Sequence, residues 1–364
     1  MSNELTGEAI DVTEYVEPVK QRGSLELTIR RLLRDRATVA AIVFIVILVA
    51  FALCAPLIAH LTGHGPDQQF RNTGLTPDGI PKPPNGTFLL GTDDLGRDML
   101  VRLAYGAQIS LMVGVVASLA AALIGVTIGT VSGYFGGWID TLLSRVTDLV
   151  MSVPFLLCAL ALVSVLGPSL LLAICVIIFF SWTHLARVIR AQVISLRKRE
   201  FVEAARSLGA GSFTIIVRDI LPNLSIPIII YTTMLIPSAI VFEATLSFLG
   251  LGVVPPTASW GAMLADASND SLYLVAWWMV VVPGVALLLT TLAFNILGDG
   301  LRDALDPRAA RVGFAWLTKR RKSKRASPVP AIDTATRAEH PSSVGRRGAI
   351  LRLGRRPRAT DVTR

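Results

Sequence analysis

The stretch FVEAARSLGAGSFTIIVRDILPN, residues 201–223, is polar and glycine-broken, yet strongly apolar blocks flank it on both sides. Within it Phe201, Ala204, Ala205 and Leu208 recur at i, i+3, i+4 and i+7, one stripe of a short helix, with Glu203, Arg206 and Ser207 outside the stripe. Gly209 ends that helix. Ser212 reads as the next N-cap, and Phe213, Ile216, Val217 and Ile220 repeat the spacing until Pro222 is expected to stop or redirect the chain. The pattern is helix, glycine turn, helix, and it is too short to cross a membrane. Two alanines at the centre of the first stripe leave little side-chain bulk, so the groove of another protein can approach the backbone. The segment therefore reads as a docking element; a surface-lying amphipathic loop is the alternative at this level. A DNA-reading helix-turn-helix fails, because both ends are tied to apolar spans within a few residues and neither helix reaches a groove.

Outward from this segment the chain is apolar. Of its 364 residues 52% are hydrophobic and 17% charged, against about 25% charged in a soluble domain. Apolar runs near the roughly 20 residues that cross a hydrocarbon core fall at 37–59, 106–133, 147–166, 169–190, 225–250 and 275–297. Backbone amides inside such runs must be satisfied within the run, and no alternating barrel-strand pattern is present. The expectation is an all-α polytopic membrane protein with six transmembrane helices. Its parts are an N-terminal segment 1–36, an anchor helix 37–59 and an outward loop 60–105. A five-helix core 106–300 follows, carrying the docking loop at 195–222, and a basic tail 301–364 ends the chain. Residues 1–36 lack the basic head and cleavage site of a secretory signal, so the first span is read as retained.

Loop charge sets the orientation. Arg30, Arg31, Arg34 and Arg36 precede the first span, and Arg187, Arg190, Arg197, Lys198, Arg199, Arg206 and Arg218 surround the docking loop. Residues 251–274 hold no Lys or Arg. Both termini and the docking loop are thus expected in the cytoplasm, with 60–105 and 251–274 outside. The tail from 307 carries 16 Lys or Arg against 3 Asp or Glu and few large apolar residues, a composition that reads as disordered and drawn to anionic lipid. Lipid, and not nucleic acid, is its expected partner.

Chemistry-bearing constellations are sparse. Cys54, Cys158 and Cys175 fall in spans and read as small buried hydrophobes. His60, His64, His184 and His340 lack ligand spacing, so no metal site is expected. Ser195–Lys198 matches S-x-x-K without a companion motif, and no catalytic residue is assigned. The Asn85-Gly86-Thr87 sequon is compatible with an outward loop. Gly125, Gly129 and Gly133 form two G-x-x-x-G steps suited to close helix packing, either within the chain or against a partner. Glu243 lies inside the fifth span, where a carboxyl is costly unless paired or hydrated; a structural or gate-lining role is preferred to a proton pathway. Arg145 and Asp148 stand at i, i+3 and are expected to form a helical ion pair.

Glu203, Ala204, Ala205, Gly209, Leu221 and Pro222 resemble the EAA loop of ABC-importer permeases, with Asp219 departing from the usual apolar residue or histidine. LGTDDLGRDMLVRLAYGAQISL (90–111), GGWIDTLLSRVTDLVMSVPFLL (136–157) and EATLSFLGLGVVPPTASWGAML (243–264) resemble the dipeptide/oligopeptide/nickel group, specifically its C component. The resemblance covers residues 25–307 and implies a type I permease fold in a bacterial inner membrane. It also implies a homologous permease partner, two ATPases and an extracytoplasmic binding protein. Phe201, Glu203, Ala204, Ala205, Leu208 and Gly209 would then couple to the ATPases. The chain has no G-x-x-x-x-G-K-[ST] loop, so ATP and Mg belong to the partners and this chain is expected to bind no cofactor and to be no enzyme. Cargo stays open among dipeptides, longer peptides and nickel chelates. An ion-coupled secondary transporter is the competing reading; it predicts inverted halves, and no internal repeat is visible.

Overall fold

A computed structural model describes residue 29 and residues 32–305, apart from the side chain of Asp270. The acidic start and the basic tail from residue 306 on lie outside the described residues; residues 301–305, assigned above to the tail, are helix. The regular elements among the described residues are helices, and two isolated bridges, Leu75 with Pro81 and Thr92 with Asp98, are the β-type pairings there.

Asp35 caps the first helix, α1 (Arg36–Leu53), by accepting from the Ala37 and Thr38 amides. The expected anchor 37–59 is not one rod. The chain breaks at Cys54, and α2 (Ala55–Thr62) starts with Pro56 in its first turn, where a missing N–H costs nothing. After a short α3 (Arg71–Gly74), Asp98 caps α4 (Met99–Phe135), which at 1.5 Å per residue is about 55 Å long. Residues 99–105, assigned above to the loop, are therefore helix.

The expected span 147–166 is the main departure. It is two helices, α5 (Gly137–Ser152) and α6 (Phe155–Leu166), meeting at 80°. Pro154 lacks an amide to continue the ladder and holds Val153 extended, which is enough to break the helix. Next come α7 (Leu170–Leu196), capped by Ser169, the short α8 (Glu200–Ser207) and a rod from Ser212 to Phe248. That rod comprises α9 (Ser212–Ile215), a π turn (Ile216–Ile220) and α10 (Leu221–Phe248). Helix α11 (Trp260–Ser268) and α12 (Trp278–Leu305) complete the bundle. Among the described residues five helices or rods are long and apolar enough to cross a membrane, six if the bent α5–α6 pair counts as one crossing. The protein is a multi-pass membrane protein by that measure.

The core is built on α4. Its glycine face lies against α7: a Cβ at Gly125, Gly129 or Gly133 would come within 2.8, 2.5 and 2.8 Å of the Trp182, Ala186 and Arg190 carbonyl oxygens. Those three glycines thus pack helices within the chain. One apolar cluster joins Met99, Ala107, Leu111, Ile240, Trp260 and Trp278; another joins Val193, Val202, Ile215, Ile220 and Leu224 near the far end of α4.

Candidate functional site

The segment 200–221 sits where α4 and α7 end, since Arg197 donates to the Tyr134 carbonyl at 3.0 Å. Its helix α8 is anchored by Val202, which is fully buried against Ile215, Ile220 and Leu224. Sequence spacing passed over Val202 because it stands outside the i, i+3, i+4, i+7 stripe. That stripe faces away: Phe201 and Ala204 are exposed, Leu208 is 88% exposed, and Ala205 alone is half-buried. Glu203 is exposed beside them. Gly209 has φ 84° with open space around it, a left-handed conformation that side chains rarely adopt.

The second half of the segment departs from expectation. The N-cap is Gly211 and not Ser212, whose hydroxyl makes no cap bond. Pro222 does not stop the helix. It falls in the first turn of α10, and the ladder widens into the five-residue π turn just before it, which absorbs the amide that proline lacks. The second half of the segment is therefore continuous with α10 in one 37-residue rod, Ser212–Phe248.

Glu243 is fully buried on α10. Ser110 of α4 and Ser247 donate to its two oxygens at 2.9 and 2.7 Å, and Ser247 Oγ in turn accepts from the Val253 amide at 3.2 Å. The carboxyl thus joins α4, α10 and the 249–259 connection. The expected Arg145–Asp148 pair is absent among the described residues. Asp148 instead accepts from Arg187 of α7 at 2.6 Å, because α5 lies alongside α7 once the chain bends at Pro154. One turn further, Arg190 forks onto Asp140 at 2.5 and 2.7 Å, while Ser132 of α4 donates to the same carboxylate.

At the opposite end of α4 lies a buried charge network. Arg97 Nε meets Asp93 at 2.6 Å, and its Nη2 reaches Asp94 at 3.2 Å and Asp266 of α11 at 3.1 Å. Arg102 lies 3.1 Å from Asp93 and 3.5 Å from Asp266, and it also donates to the Pro66 and Pro256 carbonyls. Both guanidinium side chains are 5% exposed or less, so the charges are held by each other and not by water. Burial and the neighbouring Asp94 push the Asp266 carboxyl up to about 6 despite both arginines, and burial raises Asp94 as well. Carboxylate oxygens of Asp93, Asp94 and Asp266 come within 4.8 Å of one another, with the two arginines as their countercharge. His64 Nδ1 lies 2.6 Å from Asp98 and its ring stacks on Phe88. Trp278 and Trp260 donate to the Thr92 and Leu103 carbonyls. The i, i+4 spacing of Asp93 and Arg97 was legible in sequence; Asp266 and His64 were not.

Residues 125–311 match the family described as binding-protein-dependent transport system inner membrane component, and residues 25–78 match the N-terminal transmembrane domain of oligopeptide transport permease C. The chain is 40% identical over 275 residues to the di/tripeptide transport system permease protein of Pseudomonas aeruginosa, covering 75% of this chain and 89% of that one. It is 39% identical over 279 residues to the oligopeptide transport system permease protein of Escherichia coli, covering 77% and 89%. It is also 39% identical over 285 residues to the dipeptide transport system permease protein of Bacillus subtilis, covering 78% and 85%.

Proposed function

Because the chain belongs to the binding-protein-dependent inner membrane permeases of ABC importers, we propose that it forms the translocation pore for dipeptides or oligopeptides and takes its drive from ATPase partners. The observation that supports this reading is the Phe201, Ala204, Leu208 stripe. It is apolar, exposed, and mounted on a helix fixed to the bundle by Val202 on its other side. A helix anchored through a buried side chain transmits force; an exposed apolar stripe calls for a groove to cover it. Two ATPase subunits using ATP and Mg would supply that groove, a homologous permease would complete the pore, and an extracytoplasmic binding protein would deliver cargo. The Gly209 turn and the continuous rod beyond it would pass closure of the ATPases to α10. This chain itself would bind no cofactor.

In this reading the Glu200 end of the bundle and both termini are cytoplasmic. Single cysteines at Ser207 and Ser259, in a background without Cys54, Cys158 and Cys175, test that placement: an impermeant maleimide should label only position 259 in cells whose inner membrane is intact. Function is tested by reconstituting the chain with these partners in vesicles. ATP-dependent peptide uptake without an ion gradient supports the reading, and uptake driven by an ion gradient alone by this chain would overturn it.

A further inference from the structure

Helix α7 crosses the bundle with one exposed line that is not apolar. His184 and Arg187 stand about one turn apart on it, both exposed. Ionisable groups inside a membrane face protein or water, because hydrocarbon offers them no partner. Two cavities lie along this line. The first, about 340 Å³, is walled by Phe155, Phe180 and Phe242, with His184 and Ser238 among them, and it opens where Pro154 bends the chain. The second, about 310 Å³, is lined by Ser144, Asp148, Arg187 and Arg190. Arg187 and Asp148 meet there at 2.6 Å with about half of each side chain exposed. Glu243 and the Asp140–Arg190 fork, by contrast, hold helices together inside the chain.

We propose that this seam, from Phe155, Phe242 and His184 down to Arg187 and Asp148, is the water-filled wall along which cargo passes, and that it takes short zwitterionic peptides. The inference rests on the importer reading above. Aromatic faces and polar side chains in the first cavity accept varied side chains without holding any tightly. In the second, Arg187 presents planar donors to a peptide carboxylate, and Asp148 accepts from a peptide ammonium. An exposed pair holds itself weakly, so a zwitterion can take its place and leave no net charge behind. Lipid as the occupant would put the exposed His184 ring and the half-exposed Arg187–Asp148 pair against hydrocarbon.

The test uses the reconstituted complex with this chain's three native cysteines replaced. Single cysteines at His184 and Ser238 should react with a small charged methanethiosulfonate about tenfold faster than cysteines at Leu123 and Val165, two exposed apolar positions of α4 and α6. Saturating tripeptide should slow that reaction during turnover. Arg187→Gln should lower maximal uptake several-fold while the melting temperature and peptide capture by the binding protein stay unchanged. Equal reactivity at 184, 238, 123 and 165 in a complex that still imports peptide overturns the seam and places this face against lipid or the partner permease. Unchanged uptake by Arg187→Gln overturns the zwitterion contact. Rapid labelling at 184 and 238 in a complex that imports nothing supports the water-filled seam and counts against the importer reading.

Discussion

The two ends of α4 satisfy their polar and apolar groups in opposite ways. At the Met99 end, Arg97 and Arg102 are buried among Asp93, Asp94 and Asp266, His64 is closed onto Asp98 and Phe88, and two tryptophan indoles bond to backbone carbonyls. The buried charges of that end are countered within one chain. At the Glu200 end, helix α8 has one fully buried side chain, Val202, and an exposed apolar stripe running through Phe201 and Leu208 to a glycine turn in open space. A region whose buried charges counter one another acts as a fixed frame; the uncovered apolar stripe is, on the proposed function, the surface an ATPase would cover. The comparison predicts that damage at the first end destabilises the chain, and that damage at the second end spares the chain but breaks assembly.

The largest effect is expected at the closed end. Arg102→Met leaves Asp93 and Asp266 short of a buried countercharge, and removal of one member of such a network costs about 3–5 kcal/mol. The purified variant should melt far below the parent or fail to accumulate; an unchanged melting temperature would show that the network is not what holds this end. Between the two ends, Gly129→Leu forces a side chain against the Ala186 carbonyl and Ile189, and overpacking of this kind costs roughly 1–3 kcal/mol. Melting in detergent should fall accordingly, and a variant as stable as the parent would deny close packing of α4 on α7.

Gly209→Val sharpens the contrast. Its left-handed backbone costs a β-branched residue roughly 1–2 kcal/mol, but the strain falls on an exposed turn. The bundle should keep its melting temperature while association with the ATPases is lost. A drop in melting equal to that of Gly129→Leu would mean that the turn belongs to the core.

The smallest effect is a pH dependence at the closed end. Asp266 is raised to about 6 from an ordinary 3.8, so the folded state binds its proton more readily than the unfolded state. Its contribution to stability is fully present below about 3.8 and is lost as pH rises through about 6. From pH 7 to pH 5 the parent should gain on the order of 1 kcal/mol from this group, and Asp266→Asn should flatten that gain. A parent that loses stability over this range would contradict the assignment. Asp94 is raised by burial as well.

Hydropathy carried most of the fold, because five crossings are runs whose amides must bond internally. It misjudged places where tertiary contacts hide charge or a proline turns the chain. Arg102 made residues 99–105 look like loop, whereas the network removes that charge from water. Pro154 lay inside an apolar run whose length alone said one straight helix. The stripe at Phe201, Ala204 and Leu208 and the break at Gly209 were readable from spacing. The anchoring by Val202, the union of the second half with α10 and the partner of Asp148 depend on contacts remote in sequence, which no local period encodes.

The structure also sets where the central claim is best tested. Ala205 packs partly against the chain's own core, so a bulky residue there would disturb the bundle; Ala204 lies on the open face. Ala204→Trp should therefore leave membrane insertion, pairing with the homologous permease and melting temperature intact, and abolish co-purification of the ATPase subunits. ATPases retained by Ala204→Trp at the level of the parent would contradict the docking of this stripe and, with it, the account of how the chain is driven.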